Sequence, residues 1–217
     1  MVPRMTDPTL VAGIIAAAIS LPGVRDEGHL QAYAAGTACA VEAATCTGDW
    51  ATLDFCQPVW RRSKRELAAL LVDIAWFESG LIKRIAAGRC RPEECDAVKM
   101  PGGRILHRAR GVYQIQYTGA VSSTEWWEMV GVTDYSFFVA SYAAARMLSA
   151  HERSCKSVSG AISGFATGGR CGWGGTPNRF AVYQKLLIRV SAPPIEKPTS
   201  PVEVPAAVAT SEAQKFP

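Results

Sequence analysis

A mainly α-helical domain is predicted for this chain of 217 residues by three features of its sequence. Apolar side chains recur at the three- and four-residue spacing of helices, and runs of alternating β-branched residues are scarce. A 48% hydrophobic and 19% charged composition is that of a globular core, and the length suits one domain of ordinary size.

Taken in order, the periodicity predicts helices over residues 9–21, 27–45, 64–78, 124–130, 137–153, 158–166 and 178–190. The first is an Ala-rich apolar run between Pro8 and Pro22. It is shorter than the ~20 residues a bilayer span requires, so no stable membrane insertion is expected. Arg4 upstream gives it the outline of a secretory signal over residues 1–24, but Asp7 intrudes and no small-x-small cleavage site follows promptly. A first helix kept in the fold is the expectation, and a removed signal the alternative. The 64–78 helix opens on Ser63 with Glu66 three residues later, a capping box, and the last helix on Thr176 and Pro177, an N-cap and an N1 proline.

Between residues 85 and 111 the pattern breaks into a Gly-, Pro- and Cys-containing stretch too long for a simple connection, as functional or mobile loops are. From residue 191 to 217 six prolines predict an extended tail with no means of forming a core. The expected organisation is therefore a helical segment, 1–62, packing on a domain over 63–190, followed by the tail.

A net charge of +4, with basic residues scattered except for "WRRSKR" at 60–65, offers no stripe for nucleic acid, and none is expected as a partner. Seven cysteines without a C-x-x-C pair point to an oxidising, extracytoplasmic destination. Cys90 and Cys95 close a short loop with Pro92, and Cys155 and Cys171 bracket residues 157–170, so both pairs are expected to be disulfides. Cys39, Cys46 and Cys56 then leave an odd thiol. Zinc on Cys90, Cys95 and His107 lacks a fourth well-spaced ligand, and His29, His107 and His151 have no ligand spacing, so neither metal nor cofactor is expected.

One carboxylate stands out. On a helical wheel Leu67, Leu70, Leu71, Ile74 and Ala75 share an arc with Glu78 in its middle, while Glu66 and Asp73 fall off it. An acid facing a core or cleft loses hydration, which favours its protonated form and suits a general acid. The alternative is a solvated residue in a last turn ended by Gly80. The helix dipole disfavours a carboxylate there by ~0.3–1 kcal/mol, so helix stability does not explain the placement.

Four short motifs then follow in order: "ESG" at 78–80, "GVYQI" at 111–115, "GFATG" at 164–168, and a helix carrying Tyr183. This set resembles the lytic transglycosylase family of peptidoglycan-cleaving enzymes, within the lysozyme-like superfamily. That family reads E-S-G after an apolar helix, then G-L-M-Q-I, then A-Y-N-A-G, then a helix with a tyrosine. Here Val112 and Tyr113 replace the Leu-Met pair, and Phe165 stands where the family has tyrosine. The resemblance covers roughly residues 65–187 and implies a lysozyme-like helical fold.

It also implies roles. Glu78 would protonate the β-1,4 glycosidic oxygen between N-acetylmuramic acid and N-acetylglucosamine, then take the proton of the muramyl C6 hydroxyl as that oxygen closes on C1 to give a 1,6-anhydro end. Ser79 would steady the carboxylate or the sugar, with a turn residue as its alternative role. Gln114 would meet an N-acetyl group. Gly111, Gly168 and Gly169 would let backbone approach the saccharide, and Ile115 completes the motif beside them. Tyr113, Phe165, Trp173 and Tyr183 are candidates for packing on sugar rings, with core packing the stronger alternative for Phe165 and Trp173 than for Tyr113. Phenylalanine at 165 cannot donate the hydroxyl bond that the family's tyrosine makes to the acid, a bond that Tyr183 could supply instead.

The same order of motifs resembles goose-type lysozymes, in which a second carboxylate activates water; Asp96 is the acid at that place, and it could equally cap the Cys90–Cys95 turn. The expected partner is the peptidoglycan glycan strand, in the periplasm, outside the cell or on a phage particle, with virion or envelope partners for the tail. A wall-binding or structural protein that keeps the fold without catalysis is the alternative from another class.

Overall fold

The computed structural model describes residues 6–25, 28–53, 56–91, 97–99, 101–103, 105–117 and 120–192. Among them run eight α-helices: α1 Pro8–Ile19, α2 His29–Thr45, α3 Lys64–Ser79, α4 Lys83–Ala86, α5 Ser123–Glu128, α6 Asp134–Cys155, α7 Val158–Thr167 and α8 Thr176–Ser191. Strand β1 (Ala97–Lys99) pairs antiparallel with β2 (Ile105–His107), Val98 opposite Leu106. Strand β3 (Ala109–Arg110) pairs antiparallel with β4 (Ile115–Gln116), Arg110 opposite Ile115. The long interruption after residue 85 thus holds the end of α4 and a hairpin. No described helix is long and apolar enough to cross a membrane.

Helix α3 is the axis of the molecule, packed on by α8, α1, α2 and α6. Every residue from Leu67 to Ala75 is fully buried. A helix enclosed all round buries both arcs of its wheel, not one stripe. This corrects the reading of Asp73, which is as buried as the leucines. One hydrophobic cluster runs from Leu10 and Ile14 of α1 through Tyr33 of α2 to Leu186 and Val190 of α8.

The most extensive helix pairing is α2 with α6, and small residues line it. Ala34, Ala38 and Ala40 on one side and Ala140, Ala143 and Ala144 on the other are fully buried. At Gly36 a Cβ would run into the Asp134 carbonyl oxygen and lie 2.8 Å from the Phe137 Cβ. The seam admits no side chain there.

The start signals act as their residue types dictate. Ser63 Oγ accepts from the Glu66 amide at 3.2 Å while the Glu66 carboxylate accepts from the Ser63 amide at 3.0 Å. The cap of α8 lies one residue before the expected one: Gly175 is the N-cap, and Thr176 and Pro177 are already helical. Asp7 caps α1 by accepting from the amides of Thr9 and Leu10, and its other oxygen takes a 2.7 Å bond from Lys64 Nζ, which ties the start of α1 to the start of α3.

Cys155 and Cys171 are joined, as their bracketing of α7 predicts. Cys46, at the end of α2, is joined to Cys56, so the odd thiol is Cys39, buried and pushed up to about 11 by desolvation. Cys90 is also in a disulfide; Cys95, its expected partner, lies outside the described residues, as do Asp96 and residues 193–217 of the tail.

Candidate active site

Glu78 lies in the last turn of α3, which Gly80 ends in the left-handed conformation at φ 62°. Its carboxylate is 22% exposed and accepts a 2.7 Å hydrogen bond from Nη1 of Arg179, a side chain only 12% exposed. Arg179 belongs to the first turn of α8. Each charge therefore sits at the helix end where the macrodipole opposes it, an anion at a C-terminus and a cation at an N-terminus. The two unfavourable placements answer one another across the α3–α8 seam. The guanidinium also lies 4.6 Å from the centroid of the Phe77 ring and 5.4 Å from that of Trp173, which is 44% exposed.

Asp73 sits one turn before Phe77 on the same helix. Neither of its oxygens has a hydrogen-bond partner among the described residues. Desolvation pushes its carboxyl up to about 8, against the opposing pull of the Arg179 charge. The desolvated acid that the wheel assigned to Glu78 is thus Asp73, while Glu78 is partly exposed and ion-paired.

The other candidates divide by location. Ser79 is buried, donates to the Ala75 carbonyl at 2.8 Å and accepts from the Leu81 amide at 3.3 Å, so it locks the turn that carries Glu78. Gly111 to Gln114 form the turn of the β3–β4 hairpin. Gly111 has φ 67°, and a Cβ there would lie 2.9 Å from the Met129 carbonyl oxygen. Gln114 has φ 48°, donates its amide to the Gly111 carbonyl at 2.8 Å, and leaves its buried Oε1 without a partner among the described residues. Ile115 is in the core.

Among the aromatics the expected order of burial is reversed. Tyr113 is fully buried with its hydroxyl 2.8 Å from Ser141 Oγ, whereas Trp173 is exposed. Val112 and Tyr113 of the hairpin turn, with Ile115 after them, belong to the hydrophobic core. Phe165 on α7 is partly buried against that core. Tyr183 is buried and pushed up to about 12 by desolvation, with the charges of Glu66 and Arg62 near it. Those residues lie at the start of α3, and Glu66 is about 18 Å along the helix from Glu78 at a rise of ~1.5 Å per residue. Among the described residues the carboxylate of Glu78 hydrogen-bonds Arg179 and none of Gln114, Phe165 or Tyr183.

Sequence reasoning missed Arg179 and Phe77. The signal for Arg179 was present: a cation in a helix's first turn, unfavourable by itself, needs an anion from elsewhere. Beside the same turn of α3 a cavity of about 280 Å³ is lined by Arg25, His29, Gly80, Leu81 and Lys83 among others. Comparison with known protein families, with curated proteins and with solved structures finds no match. What the site offers chemically is a single partly exposed carboxyl group at a helix end, a guanidinium able to balance negative charge, and an aromatic face.

Proposed function

We propose that the protein is a lysozyme-like lytic transglycosylase that cuts peptidoglycan glycan strands between N-acetylmuramic acid and N-acetylglucosamine. The observation that carries this reading is the position of Glu78, at the partly exposed end of an otherwise enclosed helix, paired with an arginine that lies against the rings of Phe77 and Trp173. Flat rings at a carboxylate suit a sugar, whose C–H faces pack on aromatics while its hydroxyls remain solvated.

In this reading Glu78 gives a proton to the glycosidic oxygen as the C1–O bond breaks. It then takes the proton of the C6 hydroxyl as that oxygen bonds C1. One carboxylate serves both steps, because the nucleophile is part of the substrate. Arg179 must release the carboxylate for the first step. The disulfides and the absence of a membrane-crossing helix among the described residues are compatible with an extracytoplasmic site of action, including the tip of a virion. A hydrolytic outcome through Asp96 is the variant of this reading that product analysis separates from it.

A second reading draws on the same ion pair. A Glu78 clamped by Arg179, with Phe165 in place of tyrosine, suits a non-catalytic wall-binding protein in which the pair fastens α8 to α3. Purified sacculi incubated with the wild type and with Glu78→Gln, followed by mass spectrometry of the muropeptides, decide between them. Anhydro ends from the wild type alone support cleavage; reducing ends indicate hydrolysis. Binding without soluble product supports the second reading, and equal activity in both proteins removes Glu78 from the mechanism.

A further inference from the structure

A fully buried carboxyl group with no hydrogen bond is expensive unless something supplies a partner part of the time. Asp73 is such a group. The helices around it leave Arg179 of α8 as the charged group that acts on it. Helix α1 carries no charge over Pro8–Ile19. On α2, His29 bonds the Leu81 carbonyl and Glu42 accepts from the Asp7 amide. On α6, Asp134 accepts from the Tyr135 amide, Arg146 is held by Glu125, Glu152 by Arg62, Arg153 by Ser149, and His151 packs on Gly164 of α7.

Positions i and i+4 of a helix are neighbours on one face, so Phe77 stands directly above Asp73, and the guanidinium rests on Phe77. The cation that touches the partly exposed Glu78 thus also rests on the residue one turn beyond the buried Asp73, on which its charge acts.

We propose that Arg179 and one proton exchange between Glu78 and Asp73, which makes Asp73 a positioning residue for the acid. This rests on reading Glu78 as the acid/base of glycan cleavage. In the first arrangement Arg179 pairs with the Glu78 carboxylate, as observed, and the proton is assigned to Asp73. In the other, the guanidinium turns down past Phe77 to Asp73, Asp73 releases its proton, and Glu78 takes one up at its exposed edge. Proton count and charge are unchanged: two carboxyl groups, one proton, one cation. The exchange supplies what an ion-paired acid lacks, a proton to give, without uncovering a bare buried charge.

The test has one arm that needs no activity. Carbon-detected NMR follows the Asp73 carboxyl across pH in the wild type, in Glu78→Gln and in Arg179→Gln. With Glu78 replaced, Arg179 is released to Asp73, and the Asp73 midpoint falls by at least one pH unit. With Arg179 replaced, it rises. An Asp73 midpoint unmoved by Glu78→Gln overturns the exchange.

The second arm measures turnover on sacculi. Asp73→Asn, close in shape and uncharged, loses at least tenfold in turnover with sacculus binding kept and the melting temperature not lowered, and Asp73→Glu regains part of the rate. An unchanged pH–rate profile in Asp73→Asn also overturns the exchange. A wild type inactive on sacculi defeats the cleavage reading instead, and the NMR arm then decides the exchange by itself.

Discussion

The hydroxyls of Tyr113 and Ser141, 28 positions apart in sequence, meet at 2.8 Å in the interior. Tyr33 Oη lies 3.4 Å from the Tyr113 hydroxyl and Thr37 Oγ1 3.0 Å from Ser141, so four buried hydroxyls form one chain between α2, α6 and the hairpin turn. Burial pushes the pKa of both phenols up, so the network stays neutral. A residue placed by the motif order on the substrate side is thus part of the fold's polar lock.

Tyr113→Phe removes one member and leaves Ser141 its bond with Thr37. The expected cost is about 1 kcal/mol, the net worth of a buried hydrogen bond, read as a lower urea midpoint at constant slope. Sacculus binding stays at the wild-type level. A large loss of binding with unchanged stability would return Tyr113 to the substrate site.

Gly36→Ala tests the α2–α6 seam. The added methyl meets the Asp134 carbonyl, a backbone atom at the start of α6 that cannot turn aside as a side chain would. Overpacking of this kind costs about 1–3 kcal/mol, more than the ~1 kcal/mol that replacing a mid-helix glycine returns through propensity. The variant melts below the wild type; a higher melting temperature would show that the helices are not held at this distance.

The stability of the protein depends on pH in a direction set by Asp73. Its folded value, about 8, lies above the ordinary aspartate value of ~3.9. Between these values the folded state holds a proton that the unfolded state has released, so stability falls as pH rises through this window, by up to about 1.4 kcal/mol per unit. Asp7 acts oppositely. Its carboxyl is lowered by Lys64 and by the amides it caps, so its contribution is present above the ordinary value and is lost in acid. Urea unfolding should therefore give a lower free energy at pH 8.5 than at pH 5.5, and Asp73→Asn should remove most of the difference. If that variant keeps the wild-type difference, Asp73 is not its source.

How much of this was legible follows from what each residue reports. Helix positions were, because amphipathic spacing and caps such as Ser63–Glu66 are local. The Cys155–Cys171 pairing was as well, since the two cysteines flank α7 and the chain folds back along that helix after it ends. The surroundings of α3 were not. A wheel assumes one buried face, and only the packing of four other helices reveals that Asp73 faces protein as completely as Leu70 does. Nor could order along the chain show which aromatics are exposed: Tyr113 is drawn inward by Ser141, and Trp173 is left outside by a glycine-rich turn.

Opening Cys155–Cys171 removes a constraint on the 16-residue separation across α7. A loop of about that length corresponds to about 3 kcal/mol of chain entropy in the unfolded state. The double variant Cys155→Ser with Cys171→Ser should melt several degrees lower by calorimetry. It should also lose binding to sacculi, because Trp173 follows Cys171 by two residues. Full stability would mean that α7 is held by packing alone.

Trp173 gives the last prediction and the most direct test of the aromatic face. Its ring lies against the Gly175 backbone, where any Cβ would overlap it, and its centroid is 5.4 Å from the Arg179 guanidinium. Nearly half exposed, it adds little to the core, so Trp173→Ala should leave the melting temperature within about 2 °C, as surface substitutions usually do. If the ring packs on a sugar about as well as aromatics stack on nucleobases, its loss costs about 1–3 kcal/mol, roughly a 5- to 150-fold weaker hold. Pull-down on sacculi at graded protein concentration reads this directly. Gly175→Ala, which keeps the ring but forces it to shift, should weaken binding by a smaller factor. Wild-type binding in both variants would place the glycan elsewhere on the molecule and leave Glu78 without its neighbouring platform.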